Sequence, residues 1–395
     1  MPHYLDFAAT SAIRPAEVAG AMVRFMEDCG ATPGRGGHAR ALEAGRFALR
    51  CRKAVQRLLG LPGDPGRVAF GPNATAAINT ALSGLLRPGD VLVLTAYDHN
   101  AVLRTAAYLR EHRGVEVRMI SGTPEGEIDY EETERLLEGA TLLSVNSASN
   151  VLGNRLPLTE LASRAHAAGA LVLFDAAQGA GHLPLRCGDD GADVVAFTGH
   201  KGMLGPQGIG GLWVREGVEV PPLLHGGTGG DSRRSEMPGE MPDRLEAGSV
   251  NAPGIAGLEA GIRFVLDRGV PALHEHEADL KERLRSGMLS TGRVQVLSPP
   301  DPEGVGIVTV TVPGHDAGRL AYRLEQEWGV QGRAGLHCAP ECHRVLGSLE
   351  TGALRLSVGW ATTEDDVDRA IEGLEAISSS PTVAGELGRR EVGSS

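Results

Sequence analysis

Residues 170–201 read ALVLFDAAQGAGHLPLRCGDDGADVVAFTGHK and contain two apolar runs, each followed at once by polar residues. The first run ends at Asp175 and the second at Thr198, with Lys201 three residues further on. Five similar runs occur in the neighbouring sequence, and they are RVAF (67–70), DVLVLTA (90–96), VEVRMIS (115–121), TLLSVNSA (141–148) and IGGLWV (209–214). Because amphipathic segments such as 74–86, 101–111 and 158–168 lie between the runs, the pattern predicts an α/β fold. Its mostly parallel seven-stranded sheet would be covered by helices on both faces.

The segments after the seventh run predict a second, smaller unit. Residues 225–245 are rich in glycine and polar residues, which predicts an irregular loop. Further helical patterns lie near 253–267, 272–288, 317–328 and 363–377, with strand-like runs VQVLS, GIVTVTV and ALRLSVG among them. We therefore expect a large α/β domain at 15–255, a small α+β domain made of 1–14 and 256–378, and a flexible tail at 379–395.

Composition excludes several classes of protein. No run of about 18 apolar residues occurs, so no membrane-spanning helix is expected, and the N-terminal MPHYLDFAATSAIRP lacks the pattern of a secretion signal. The formal net charge of −12 argues against nucleic-acid binding, which needs clustered Lys and Arg. Five scattered cysteines do not suggest a disulfide framework, so we expect a cytoplasmic protein.

Lysine is rare in this chain, which makes each lysine informative. Of 38 basic residues only three are lysines, Lys53, Lys201 and Lys281. Lys53 and Lys281 fall in charged helical patterns, where we expect solvated faces, whereas Lys201 follows a buried strand in a glycine-rich turn. A partly desolvated lysine near other cations has a lowered pKa and becomes a nucleophilic amine, which can form an imine.

Other polar residues follow neighbouring strands and converge on the same edge of the predicted sheet. Asp175 is either a helix N-cap or a carboxylate that pairs with the ring nitrogen of pyridoxal phosphate. Thr75 lies at the start of a predicted helix that follows a strand and a turn. The backbone N–H groups and the positive dipole at such a helix start favour a phosphate. His99 and Asn150 follow two further strands. The convergence indicates a site, although each residue alone has a structural explanation.

The stretch QGRAGLHCAPECH (331–343) places Cys338 after small residues and beside Arg333 and His337. It predicts a mobile, exposed loop on which neighbouring cations favour the reactive thiolate. Arg355 opens RLSVGW, and its planar fork suits a substrate carboxylate, with an ordinary salt bridge as the alternative.

The other cysteines read mainly as packing residues. The spacing from Cys338 to Cys342 and His343 is poor for zinc, so no metal is predicted. Cys342 is interpreted as a small apolar packing residue, with a second sulfur relay or a reversible disulfide with Cys338 as alternatives. Cys29, Cys51 and Cys187 are interpreted as packing residues.

An ordered set of motifs spans residues 4–377, namely YLDFAAT, DHNAV, SNVLG, FDAAQ, TGHK, EAGSVN and RAGLHCAP. Together they resemble the pyridoxal-phosphate-dependent class V aminotransferase superfamily, specifically its cysteine desulfurases. Within these, the chain is most similar to the branch with a short cysteine loop, which also contains selenocysteine lyases. The resemblance implies the pyridoxal-phosphate-dependent transferase fold of type I.

The resemblance also implies a role for each candidate residue. Lys201 would bond pyridoxal 5'-phosphate covalently and move the substrate's α-proton, Asp175 would pair with the pyridine nitrogen and His99 would stack on the ring. The cofactor's phenolic oxygen and the substrate region would be contacted by Asn150 and Gln178. The phosphate would be bound by Ala74, Thr75, Thr198 and His200. Ser249 would reach the phosphate of a neighbouring subunit, which implies a homodimer with shared active sites.

The implied reaction converts L-cysteine to L-alanine. Cys338 would attack the substrate sulfur and hold it as a persulfide for an acceptor protein, while Arg355 would bind the substrate carboxylate. Arg333 would be a structural and entrance residue beside the substrate. The alternatives are a selenocysteine lyase acting on L-selenocysteine, another class V aminotransferase or C–S lyase, and a sulfur-relay scaffold with little turnover.

Overall fold

The computed structural model describes residues 2–34, 36–229, 233 and 235–379. From residue 380 onward, the predicted flexible tail lies outside the described residues. Within these ranges the strands are β1 (His3–Tyr4), β2 (Val68–Gly71), β3 (Val91–Thr95), β4 (Glu116–Ile120), β5 (Leu142–Asn146), β6 (Leu171–Asp175), β7 (Val194–Thr198), β8 (Gly210–Val214), β9 (Gln295–Val296), β10 (Ile307–Thr311), β11 (Val330–Gln331), β12 (Arg333–Gly335) and β13 (Ala353–Ser357).

The α-helices of the same ranges are α1 (Ala16–Arg24), α2 (Ala39–Leu59), α3 (Ala74–Leu85), α4 (Asn100–Arg113), α5 (Tyr130–Leu137), α6 (Leu158–Ala167), α7 (Ala252–Arg268), α8 (Val270–Ser290), α9 (Ala317–Trp328), α10 (Pro340–Val345) and α11 (Glu364–Ser379). A π-helical turn follows α1 at Phe25–Cys29, and a 3₁₀ turn lies at Pro65–Arg67. None of the described helices is both long and apolar enough to cross a bilayer.

The seven predicted apolar runs form one sheet, in the order β2-β8-β7-β6-β5-β3-β4. Neighbours from β7 to β4 are parallel, and β8 is antiparallel to both β7 and β2. Every residue of β3, β5, β7 and β8 is buried, which explains why these strands read as continuous apolar runs. The predicted fold class is therefore confirmed.

Helices cover both faces of this sheet, as the side chains of β3 illustrate. Successive residues of a strand point to opposite faces. Val91 and Val93 belong to one buried cluster, together with residues of α2, α6 and α7. Leu92 and Leu94 belong to a second cluster, together with residues of α3 and α4. The polar side chains that follow the parallel strands are thus left at the sheet's edge, between the two helical layers.

A second sheet has the order β12-β13-β10-β9 and is antiparallel throughout. Its apolar face packs against α8, α9 and α11 in a separate buried cluster. The N-terminal β1 pairs in parallel with β11, and Asp6 forms a bridge with Ser357 at the end of β13. The first residues of the chain therefore lie against the second sheet. The exact domain boundaries stay a prediction.

Two lysine predictions have different outcomes. Lys53 is exposed on α2, as expected. The expectation of a solvated position for Lys281 is wrong, because its side chain is buried and its Nζ donates to the backbone oxygen of Asp301 at 2.9 Å. Burial lowers the pKa of the Lys281 amine to about 8. Most of the charged residues around Lys281 in the sequence belong to the outer face of α8, whereas Lys281 itself is buried.

Candidate active site

A pocket lies at the carboxyl-end edge of the large sheet, where the sequence predicts a site. Eleven of the predicted site residues line it, and they are Ala74, Thr75, His99, Asn150, Asp175, Gln178, Thr198, His200, Lys201, Arg333 and Arg355. Cys338 and Ser249 are not among the lining residues. The structure therefore brings together groups that lie up to 281 positions apart in the chain (74 to 355).

The first turn of α3 forms one end of the pocket. The Asn73 side chain caps this helix by accepting a hydrogen bond from the Ala76 amide at 2.9 Å. The first amide that bonds to a carbonyl in the helical pattern is that of Ala77. The amides of Ala74 and Thr75 lie ahead of it, where helix N–H groups point outward and the helix dipole is positive. This corner suits an anionic group such as a phosphate.

Lys201 follows β7 in a turn that the N-terminal segment holds in place. The Ser11 amide donates to the His200 oxygen at 2.9 Å, and the Ser11 hydroxyl donates to the Lys201 oxygen at 3.0 Å. Gly202 is required next, because a Cβ there would lie 2.5 Å from the Ala180 oxygen. The backbone of Lys201 is thus fixed from two sides while its side chain lines the pocket.

The Lys201 amine and the Asp175 carboxyl influence each other inside the pocket. Burial lowers the pKa of Lys201 to about 8. Asp175 and Cys338 oppose this shift, while Arg355 and Arg333 reinforce it. Burial raises the pKa of Asp175, against a hydrogen bond from the Ala177 amide and the charge of Lys201. At neutral pH the amine is therefore much closer to its nucleophilic form than an exposed lysine would be.

Two histidines in the pocket are uncharged. Burial lowers the pKa of His99 to about 4, and Lys201 and Arg333 add to the effect. Burial and Lys201 likewise lower the pKa of His200 to about 4. His99 Nδ1 accepts a hydrogen bond from the Ala101 amide at 3.0 Å and caps α4, so the ring's proton lies on Nε2. His99 is thus both a helix cap and a neutral aromatic surface in the pocket.

Several buried polar atoms of the pocket have no hydrogen-bond partner among the described residues. They are Asn146 Oδ1, Asn150 Oδ1, Thr198 Oγ1 and Arg355 Nε. Buried polar atoms in folded proteins are nearly always hydrogen-bonded. Gln178 differs from them, since its Nε2 donates to the Ala8 oxygen at 3.0 Å. The unpartnered atoms fit a ligand with several polar groups.

Arg355 is held at the boundary between the two sheets. Its side chain is 1% exposed, Nη1 donates to the Asn150 oxygen and Nη2 donates to Asp6 Oδ1, both at 2.9 Å. The predicted alternative of a salt bridge is thus present in this structure, with Asp6 as the partner. Because Arg355 also lines the pocket and its Nε is unpartnered, the salt bridge leaves the guanidinium able to meet a carboxylate.

Cys338 follows the pocket-lining His337, in a turn between β12 and α10. Its side chain is partly exposed, and Arg333 Nη2 lies 3.8 Å from its Sγ. Of the two candidate cations beside the thiol, His337 is not charged at neutral pH, because its ring is buried and its pKa falls to about 3. Arg333 is therefore the cation of the pair. Cys342 is fully buried, and burial raises its pKa to about 12, as suits a packing residue.

Ser249 lies outside the pocket that Lys201 lines. It is exposed, and it borders two neighbouring depressions, one of them beside Pro72 and Ala76 on the other side of α3. Ser249 thus has no contact with its own chain's pocket. The role inferred for it in a neighbouring subunit stays a prediction.

A model of the Aminotransferase class-V family matches residues 3–370. The chain belongs to the aminotransferase class-V family. A probable cysteine desulfurase from Methanothermobacter thermautotrophicus is 32% identical to this class-V chain over 383 residues, which cover 95% of the chain and 94% of the relative. A probable cysteine desulfurase from Pseudomonas aeruginosa is 34% identical over 382 residues, covering 94% of the chain and 92% of the relative.

Solved structures agree with these relatives. The apo structure of a cysteine desulfurase from Thermococcus onnurineus has 31% sequence identity and a TM-score of 0.89, covering 95% of this class-V chain and 94% of that one. A cysteine desulfurase from Escherichia coli has 26% identity and a TM-score of 0.85, with the same coverage. The resemblance and the fold inferred from the sequence motifs are confirmed.

Sequence reasoning missed several residues of this class-V site. One is Asp6, which the motif YLDFAAT contains without indicating a role, and which forms the ion pair with Arg355. Asn146, the last residue of β5, holds its amide against the Tyr97 and Ala148 oxygens and directs its unpartnered oxygen into the pocket region. The signal for Asn146 was available, since it is another polar residue at a strand end. No signal in the sequence pairs Asp6 with Arg355.

Proposed function

We propose that this chain is a pyridoxal-phosphate-dependent cysteine desulfurase, which converts L-cysteine to L-alanine and holds the released sulfur on Cys338. One observation carries the proposal. Lys201, whose amine has a lowered pKa, lines one pocket with Arg355 and Arg333, and the Cys338 thiol lies 3.8 Å from the Arg333 guanidinium. The curated relatives named cysteine desulfurase support the same activity.

The pocket fits pyridoxal phosphate residue by residue. The amides of Ala74 and Thr75, the unpartnered hydroxyl of Thr198 and His200 would hold the phosphate. Asp175 would pair with the ring nitrogen, and the neutral His99 would face the ring. Asn150 and Gln178 would contact the phenolic oxygen and the substrate, and Lys201 would hold the cofactor covalently. When bound, the cofactor withdraws electrons from the substrate's α-carbon.

Lys201 and Arg355 would prepare the substrate for sulfur removal. With its pKa lowered to about 8, the Lys201 amine can accept the substrate's α-proton near neutral pH and return it later. Arg355 would hold the substrate carboxylate with its guanidinium, which is buried and fixed by Asp6 and Asn150. This clamp would fix the position of the substrate's sulfur relative to the protein.

When a bound cofactor activates the substrate, the sulfur step needs no reactant other than the thiol and the substrate. Cys338 Sγ attacks the substrate's sulfur and a sulfur–sulfur bond forms while the carbon–sulfur bond breaks. The electron pair of the broken bond stays on carbon and is protonated, which gives alanine and a persulfide on Cys338. One cysteine and one thiol thus become one alanine and one persulfide, with no external oxidant. An acceptor thiol then takes the outer sulfur from the half-exposed side chain.

The assembly belongs to the same proposal. We infer a homodimer in which Ser249 of each chain serves the partner's phosphate site. The exposure of Ser249 and its position outside its own chain's pocket support this inference. The sulfur acceptor would be a separate protein.

The test compares Cys338→Ala with the wild type and with Cys342→Ala, which removes a buried thiol four residues away as a matched control. Alanine and sulfide are measured from L-cysteine and from L-selenocysteine, with a reductant present. We expect Cys338→Ala to keep the bound cofactor's visible absorption and to lose about 100-fold or more of its activity with cysteine. Cys342→Ala should remain active.

Full cysteine activity in Cys338→Ala would refute the nucleophilic role. Turnover of selenocysteine alone would favour the selenocysteine lyase. A wild type that binds persulfide sulfur but forms no alanine would favour the relay scaffold.

A further inference from the structure

The turn that carries Cys338 has an unusual backbone. His337 and Cys338 are two consecutive non-glycine residues in the left-handed region, with φ of 49° and 59°. Side chains with a Cβ disfavour this region, so such a pair persists only where its surroundings hold it. The turn therefore needs contacts that fix it, and the same contacts fix the position of the thiol.

Three hydrogen bonds hold the backbone of the turn. The Asn100 amide donates to the Cys338 oxygen at 2.7 Å, and the Ala339 amide donates to the Leu336 oxygen at 2.9 Å. The amide Nδ2 of Asn150 donates to the His337 oxygen. These bonds come from the pocket side and from the turn itself. None of the three bonds involves the side chain of His337, which is the first of the two residues with a left-handed φ. This side chain is buried.

The His337 side chain is the first member of a buried chain of hydrogen bonds. Its Nε2 lies 3.1 Å from the Arg333 oxygen, and its Nδ1 lies 3.1 Å from His343 Nε2. His343 Nδ1 lies 2.8 Å from the Ser348 hydroxyl. His337, His343 and Ser348 are all buried, and His343 is fully enclosed. The chain thus runs from β12, through the turn and α10, to the loop that follows α10.

The direction of every bond in this chain follows from its first acceptor. The Arg333 carbonyl can only accept, so His337 Nε2 carries the proton and donates. In a neutral ring, His337 Nδ1 is then an acceptor, so His343 Nε2 donates to it and His343 Nδ1 accepts from Ser348. Burial lowers the pKa of both histidines, to about 3 for His337 and about 4 for His343, which keeps the rings neutral. Each group therefore has one defined donor or acceptor role.

A metal site does not explain these two histidines. The two facing nitrogens are 3.1 Å apart, a hydrogen-bond distance at which a proton lies between them. Among the residues that the structure describes, no group of three His, Cys, Asp or Glu side chains is placed to hold a metal ion. The pair instead connects the turn to α10.

We propose that His343 and Ser348 are positioning residues, which hold Cys338 in its reactive place through His337. The chain begins at the Arg333 oxygen, and the guanidinium of the same arginine lies 3.8 Å from Cys338 Sγ. Arg333 therefore contacts the turn twice, with its backbone oxygen at His337 and with its guanidinium at Cys338. His343 and Ser348 are not among the residues that line the pocket. As a role in sulfur removal, the inference rests on the proposed function.

The main test compares His343→Leu, which removes the donor to His337, with His343→Gln, whose amide can still donate. Two quantities are measured on the holoenzyme: the kcat and KM for alanine formation, and the rate at which iodoacetamide alkylates Cys338 without substrate. The other four cysteines are buried, and Cys338→Ser supplies the background rate. His166→Leu is the matched control, because it removes a histidine hydrogen bond to a buried carboxylate, Asp193, at a distance from the turn.

For His343→Leu we expect kcat to fall about tenfold, the equivalent of one lost hydrogen bond, with KM within about twofold of the wild type. Alkylation should become about threefold faster, because a loosened turn exposes the thiol. His343→Gln should recover most of both effects, and His166→Leu should show neither. Wild-type alkylation in His343→Leu, or equal defects in the Leu and Gln variants, would overturn the proposal.

A second pair of variants decides the matter if His343→Leu does not fold. Ser348→Ala removes the last donor of the chain, and Ser348→Thr keeps the hydroxyl. Faster alkylation in the Ala variant alone supports the proposal, and identical rates in both variants overturn it. Alkylation requires no turnover, so a wild type that forms no alanine would refute the proposed function while the positioning role is still decided.

Discussion

Replacing Arg355 by lysine tests whether its buried, planar guanidinium binds the substrate carboxylate. The arginine is 1% exposed and makes two hydrogen bonds of 2.9 Å, to Asp6 and to the Asn150 oxygen, while its Nε remains unpartnered. Lysine keeps the charge but loses the planar, two-pronged geometry. A hydrogen bond to a charged group contributes about 1.5–3 kcal/mol, and misplacing the reacting atoms adds to the loss. We therefore expect a loss of about 2–4 kcal/mol in transition-state binding, or roughly 30- to 700-fold in kcat/KM.

The assay follows alanine formation over a range of L-cysteine concentrations, and thermal unfolding is recorded in parallel. Arg283→Lys is the control, because Arg283 makes a two-pronged pair with Asp368, at 2.7 Å for each bond, on the exposed surface. This control should keep its kcat/KM, since an exposed ion pair away from the pocket contributes little to stability and nothing to the site. An Arg355→Lys protein that folds and keeps its kcat/KM within twofold of the wild type would refute the clamp.

Two further predictions concern Lys201 and Lys281. Lys201→Ala should lower alanine formation by about 10²–10⁴-fold and abolish the absorption of the covalently held cofactor, whereas Lys53→Ala, on the exposed face of α2, should change neither. Lys281→Met tests a pH effect on stability: the pKa of Lys281 falls from its ordinary 10.5 to about 8 in the fold, so the folded state binds fewer protons than the unfolded chain between these pH values. The unfolding free energy of the wild type should therefore rise relative to the Met variant from pH 8 to pH 10.5, by on the order of 3 kcal/mol, and a constant difference in urea unfolding would contradict it.

The seven strands and most of the pocket could be predicted because each depends on a local pattern. A strand buried on both faces is apolar up to its end, as in Val194–Thr198, and the polar residues that end or follow it lie at the sheet's edge. Parallel strands share that edge, so Asp175, Thr198 and Lys201 come together whatever the details of packing. The pocket follows from strand direction, which the alternation of strands and helices already indicates.

Burial of charged residues could not be predicted, because it depends on distant parts of the chain. Lys281 lies in a charged helical stretch, and its burial results from contact with Asp301 across a turn of the chain. His337 looks like a cation beside Cys338, but enclosure by α10 and the loop after it keeps the ring neutral. Asp6 and Arg355 are 349 residues apart, and only the pairing of the N-terminal segment with the second sheet brings them together.

The pocket's charge suits the two anionic groups of the proposed ligands, the phosphate of the cofactor and the carboxylate of cysteine. Three cationic side chains line it, and they are Lys201, Arg333 and Arg355. Among the described lining residues one carboxylate, Asp175, opposes them, and the lining histidines are neutral because burial lowers the pKa of each. The lining is therefore positive within a chain of net charge −12, and a positive cleft attracts anions over short distances while the outer surface repels them. Arg333 belongs to this positive lining and also lies 3.8 Å from the Cys338 sulfur, so the same guanidinium that would attract an anionic group is the cation beside the thiol.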